Sequence, residues 1–132
     1  MRAISLSDGT PDRRARNEPV SEQIFRVTTA KEIKRLCEDI ASEFRPQKII
    51  LFGSHAYGKP TWDSDVDLLV IMPFKGRHTL KAIEILNRLN PTTAVDLLVR
   101  TPRQVEKRLA MGDFFMREII EQGKVMYEAH HS

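Results

Sequence analysis

The sequence predicts an α/β domain: a small mixed β-sheet with helices packed mainly on one face. Three features predict it. Short runs rich in Ile, Leu and Val alternate with stretches whose apolar residues recur at three- and four-residue steps. One such stretch links two apolar strands, a right-handed βαβ crossover if they pair in parallel. And 132 residues, 41% hydrophobic and 30% charged, fit one compact domain and leave no room for two.

The elements follow in order. Residues 1–24 carry few apolar side chains among Ser, Asp, Gly, Pro, Arg and Asn, which predicts a flexible leader. The ordered domain is expected over 25–129, with a tail at 130–132. Thr29 followed by Glu32 is a capping box, and Ile33, Leu36, Cys37, Ile40 and Phe44 then form one helical stripe that Pro46 ends. Cys37 lies on that stripe and reads as a core residue. Lys48 to Phe52 is a β-rich run closed by Gly53, and a loop with Gly58, Pro60 and Asp63 follows. Asp65 to Met72 is a nearly continuous apolar strand opened by two acids. Leu80, Ile83, Leu86 and Leu89 mark a helix over about 77–90, and Thr93 to Val99 is a third strand with Asp96 in its middle. Thr101-Pro102 with Gln104 starts another helix. Val105, Leu109, Phe114, Phe115, Ile119 and Ile120 then predict two short helices broken near Gly112, with the stripe Phe114, Phe115, Ile119 and Ile120 read as core ahead of partner surface. Gly123 is a helix cap, and Lys124 to Tyr127 a last strand.

Several functional classes are disfavoured at once. No run of about 18 apolar residues exists, so no membrane span is expected. The N-terminus lacks a signal-peptide pattern, and the single cysteine can form no internal disulfide, so a cytoplasmic protein is expected. The net charge of +3 suits a phosphate-bearing substrate or an acidic partner, but the Lys and Arg residues are interleaved with acids and make no nucleic-acid footprint.

The chemistry lies in the acids. Asp65 and Asp67, two apart on a strand, leave the same face of the sheet about 7 Å apart. If the helix over 77–90 is a parallel crossover, the Asp96 strand lies directly beside them. A lone pair of strand-end aspartates would be read as loop caps or solvated groups. Three carboxylates in an otherwise apolar sheet repel one another unless a cation sits between them, and oxygen-only ligands point to Mg²⁺ or Mn²⁺. Just upstream, Gly53-Ser54 closes a buried strand, where a glycine lets backbone approach a phosphate.

Gly53-Ser54, ten residues, then Asp65-Val66-Asp67 resembles the G-S-x10-D-x-D arrangement of the DNA polymerase β-like nucleotidyltransferase superfamily. The stretch from Leu51 to Gly58 and on through Ser64 to Val70 is similar to its minimal members, the MNT-type proteins, and Asp96 matches their third carboxylate. The likeness runs from about Lys31 to Tyr127. It implies the nucleotidyltransferase, polymerase β palm-like fold. It also implies roles: Gly53 and Ser54 hold the β- and γ-phosphates of an NTP, and Asp65 and Asp67 bind two divalent ions, one of them shared with Asp96. Asp96 would also accept the proton of the attacking hydroxyl. One departure stands out: many relatives carry Arg where this chain has His55. His55 and Lys59 can be phosphate contacts or exposed loop residues, Tyr57 loop packing, and Trp62 a base-stacking group, an aromatic lid or a partner contact. His130-His131 is too little for a metal site.

The superfamily's polymerases and aminoglycoside-modifying members need further domains to grip their acceptors, for which 132 residues leave no space. MNT proteins are commonly paired with a HEPN toxin, and the resemblance implies an antitoxin that transfers AMP from ATP to a tyrosine of that HEPN ribonuclease. Two alternatives stand beside it: an antitoxin that neutralises by complex formation alone, and transfer to a small hydroxyl compound in a pocket completed by a second subunit.

Overall fold

The computed structural model describes residues 26–130; the expected leader and the tail residues His131 and Ser132 lie outside them. The elements are α1 (Ala30–Phe44), β1 (Lys48–Phe52), α2 (Ser54–Tyr57), β2 (Val66–Ile71), α3 (His78–Leu89), β3 (Val95–Arg100), α4 (Pro102–Ala110), α5 (Phe114–Gln122) and β4 (Lys124–Glu128). One compact unit contains, among the described residues, Thr28–Pro60 and Ser64–His130. Thr61–Asp63 group apart from it with Arg26 and Val27, and within them the Thr61 hydroxyl donates to the Asp63 carboxylate.

Helix α1 begins as its capping box dictates. The Thr29 hydroxyl oxygen accepts from the Glu32 N–H at 3.1 Å, and the Glu32 carboxylate accepts from the Thr29 N–H at 2.8 Å. Arg45 closes it in the left-handed region, and Pro46 bars a further turn. Thr101 and Gln104 repeat the box at α4, with Pro102 in the first turn. Between Lys48 and Phe52 the side chains alternate between two apolar layers, so β1 is buried on both faces.

The sheet order is β3-β2-β1-β4. β1 runs antiparallel to both β2 and β4, and β2 runs parallel to β3, so the sheet is mixed. The α3 segment is therefore the connection between parallel neighbours that its place between two apolar strands predicts. Ile33, Leu36, Cys37 and Ile40 of α1 and Ile85 of α3 pack with Ile49, Leu51, Val66, Leu68, Val70, Leu97 and Val99 on one face. Burial, then Glu38, push the Cys37 thiol up to about 12, so it stays protonated and serves as core. The longer helices share one face, and the shorter pair covers the other: Val105, Met116 and Ile119 pack on Ile50, Phe52, Leu69 and Ile71.

Two helical stripes differ from expectation. In α3 the buried residue is Ile85, with Ala82, Leu86 and Leu89 packed beside it, while Leu80 and Ile83 are exposed. Apolar residues surround much of this helix, and their spacing alone does not select the inward arc. In α5 the core residues are Met116 and Ile119, with Ile120 packed against them. Phe114 and Phe115 belong to no core; they are 84% and 54% exposed. Gly123 ends α5 with φ −68, so its role is close approach, not a left-handed turn. A Cβ there would lie 2.4 Å from the Ile119 carbonyl oxygen and 2.5 Å from Ile50 Cγ2.

Candidate active site

Strand alternation sorts the β2 side chains. Val66, Leu68 and Val70 enter the α1–α3 core, so Asp67 shares the opposite face with Leu69 and Ile71. On β3 the same alternation puts Asp96 on the face of Leu98, since Leu97 and Val99 point into the α1–α3 core. The parallel register pairs Asp67 with Asp96, and the antiparallel register pairs Asp67 with Phe52. Phe52, Asp67 and Asp96 therefore form one row across the sheet. Asp65 lies immediately before β2 and is exposed, as is Asp96, while Asp67 between them is half-buried.

Like charges opposed on neighbouring strands destabilise a sheet. Burial, then the charges of Asp96 and Asp65, hold the Asp67 carboxyl above its ordinary value, with His55 pulling it back. The sequence thus brings three acids to one sheet end and leaves their repulsion uncompensated by Lys or Arg in any described ion pair.

Gly53 caps α2 at φ +76 and ψ −158, a conformation essentially reserved for glycine. A Cβ there would lie 2.1 Å from Asp67 Oδ2 and 3.0 Å from its Cγ, so the turn and the carboxylate touch. No side chain caps this N-terminus; its first bonds run from the Ala56 and Tyr57 N–H groups to the Gly53 carbonyl. Gly58 closes the same turn, where a Cβ would be 2.9 Å from Ser54 Cα.

His55 has a contact that the sequence did not signal. Its Nε2–H donates to the Ser64 carbonyl at 3.3 Å, tying α2 to the segment that leads into Asp65. Tyr57 is half-exposed and Lys59 exposed. Trp62 is half-exposed within the smaller unit, and His130 is exposed at the far end of the described chain. A separate groove of about 690 Å³, between α1 and the α3–β3 turn, is lined by Lys31, Glu32, Lys34, Arg35, Glu38 and Asp39 among others and contains none of Asp65, Asp67 and Asp96.

Among the described residues no three His, Cys, Asp or Glu side chains close around a point to cage a metal unaided. The donor set still fits a divalent ion of the Mg²⁺ type. Such an ion is held by one or two carboxylates and completes its shell with water and substrate phosphate. The mutual repulsion at Asp67 is the charge a cation would offset.

Comparison with known proteins accords with this geometry. The family model for the nucleotidyltransferase domain matches residues 33–127. The chain belongs to this family. A Methanocaldococcus jannaschii protein, named as a candidate protein adenylyltransferase, is 29% identical over 99 residues, covering 74% of this chain and 96% of that one. Among solved structures, a candidate nucleotidyltransferase from Sulfolobus solfataricus is 25% identical with a TM-score of 0.48, over 58% of this chain and 70% of that one. A chain of the MntA–HpeT toxin–antitoxin pair is 19% identical with a TM-score of 0.44, over 78% and 76%. This nucleotidyltransferase has the mixed α/β sheet of its family, and nucleotidyl transfer of the family kind uses an NTP and a divalent metal. Among the described residues no helix is long and apolar enough to cross a membrane.

Proposed function

We propose that this nucleotidyltransferase transfers AMP from ATP to a protein hydroxyl, a tyrosine of a HEPN toxin, and thereby acts as its antitoxin. The reading rests first on the pairing of Asp67 with Asp96 beside the Gly53 turn. The adenylyltransferase name of the jannaschii relative favours AMP and a protein acceptor.

In this reading the backbone at Gly53–Ser54, which no side chain caps, receives the β- and γ-phosphates. Asp65 and Asp67 would hold two divalent ions (Mg²⁺ or Mn²⁺) bound with the nucleotide, one of them shared with Asp96, which faces the acceptor. Bound divalent ions supply charge neutralisation on the triphosphate and lower the pKa of the acceptor hydroxyl. Asp96, exposed on its strand, accepts the hydroxyl proton at a carboxylate oxygen. The acceptor oxygen bonds to the α-phosphorus as the bond from that phosphorus to the bridging oxygen breaks, and pyrophosphate carries away the electron pair.

The test is incubation of the purified chain with α-labelled ATP and Mg²⁺, with and without a HEPN toxin, beside an Asp65→Asn control. Label on the toxin that disappears in the control is the expected result. No label despite ATP binding would overturn the proposal. That outcome would favour an antitoxin acting by complex formation alone. Asp65→Asn with Asp67→Asn separates the two, because a pure binder neutralises as well as the unmutated chain.

A further inference from the structure

The α4–α5 corner exposes large apolar side chains next to the carboxylate row. Met111 ends α4 at 72% exposure, and Phe114 and Phe115 open α5. Gly112, at φ +79, makes the turn between them. The corner is joined to the site through Phe52: its ring meets the Phe115 ring edge-on, centroids 5.7 Å apart at 82°, and Phe52 is the register neighbour of Asp67. It lies on the sheet face that carries Asp67 and Asp96.

Its charge is spent internally. Asp113, the one ionised residue from Ala110 to Phe115, accepts from Arg108 at 3.0 Å and from the Met116 N–H at 3.0 Å. What remains is uncharged, aromatic and thioether surface, the composition of a protein-interface core and unlike a surface for phosphate-bearing acceptors. A protein acceptor whose hydroxyl reaches Asp96 lies over the surface bordering that row.

We propose that the Met111–Phe114–Phe115 corner is the seat of the protein acceptor, binding an apolar patch next to the hydroxyl that is modified. This rests on the protein-acceptor reading above.

The test uses Met111→Ser combined with Phe114→Ser in the full chain, two exposed positions outside the catalytic row. Steady-state AMP transfer is measured to the HEPN toxin and, separately, to N-acetyltyrosinamide, which has no surface to dock. The expected result is a rise in KM for the toxin of about tenfold or more, with kcat and the KM for ATP within about twofold. Transfer to the small amide should not change. An unchanged KM for the toxin overturns the seat and leaves the transferase reading intact. So does an equal loss with the amide, or a mass measurement in which the variant only dissociates a self-dimer. If the unmutated chain labels no protein, the acceptor reading itself fails and takes the seat with it.

Discussion

Over one face of the sheet, α1 and α3 close on Leu68, Val70 and Val99, and the layer they form is almost entirely aliphatic. Over the other, α4 and α5 bury Val105, Met116 and Ile119 but leave Phe114, Phe115 and Asp96 in solvent and Asp67 half-covered. Both faces belong to the same strands, and alternate residues of β2 serve each. The comparison teaches where stability and chemistry are kept: one face is packed to hold the strands in register, and that register sets Asp67 beside Asp96 on the other. A substitution on the aliphatic face should therefore act on folding, and one on the open face on transfer.

The sharpest break of this division is Asp67→Asn. Transfer should fall by about a thousandfold or more, roughly 4 kcal/mol of transition-state stabilisation. Thermal stability at neutral pH should hold or rise, because burial and Asp96 disfavour the ionised carboxyl in the folded state. A melting curve beside a labelled-ATP assay checks both, and a large loss of melting temperature would break the division. Ile85→Ala works the other way. This fully buried side chain should cost about 2–5 kcal/mol in urea denaturation, with activity per folded molecule preserved.

Gly53→Ala tests the one place where the two roles meet. The forced φ costs about 1–3 kcal/mol, and the added methyl displaces the Asp67 carboxylate. Transfer should drop by more than the stability loss explains, which a specific-activity measurement corrected for folded fraction would reveal. Asp113→Ala should have the smallest effect. The Met116 N–H, then Arg108, hold the Asp113 carboxyl below its ordinary value. Its stabilisation is therefore present above the unfolded-state pKa and lost as pH falls through the folded one. The gap between variant and parent in urea midpoint should be widest at neutral pH and shrink in acid.

Much of this was legible in the sequence. Thr29 with Glu32 and Thr101 with Gln104 announced their helices because a capping box is a local bond pattern, independent of the rest of the fold. Asp65, Asp67 and Asp96 could be gathered because alternation and a crossover helix are enough to bring them to one sheet end. The inward faces of α3 and α5 were not legible. Leu80 and Ile83 compete with Ile85, and Phe114 and Phe115 with Met116, and only tertiary packing decides which arc turns inward. Nor could spacing disclose that Gly53 touches Asp67, or that His55 reaches the Ser64 carbonyl, since both depend on how the segment between β1 and β2 folds back.

The contact between Gly53 and the Asp67 carboxylate also bears on how such a protein can diversify. No residue is smaller than glycine, so a bulkier neighbour at Asp67 has no compensating change to call upon, and the two positions must be inherited as a unit. Met111 and Phe114, at 72% and 84% exposure, can change side chains without disturbing that unit. New partners can thus be explored at the corner while the nucleotide chemistry is kept.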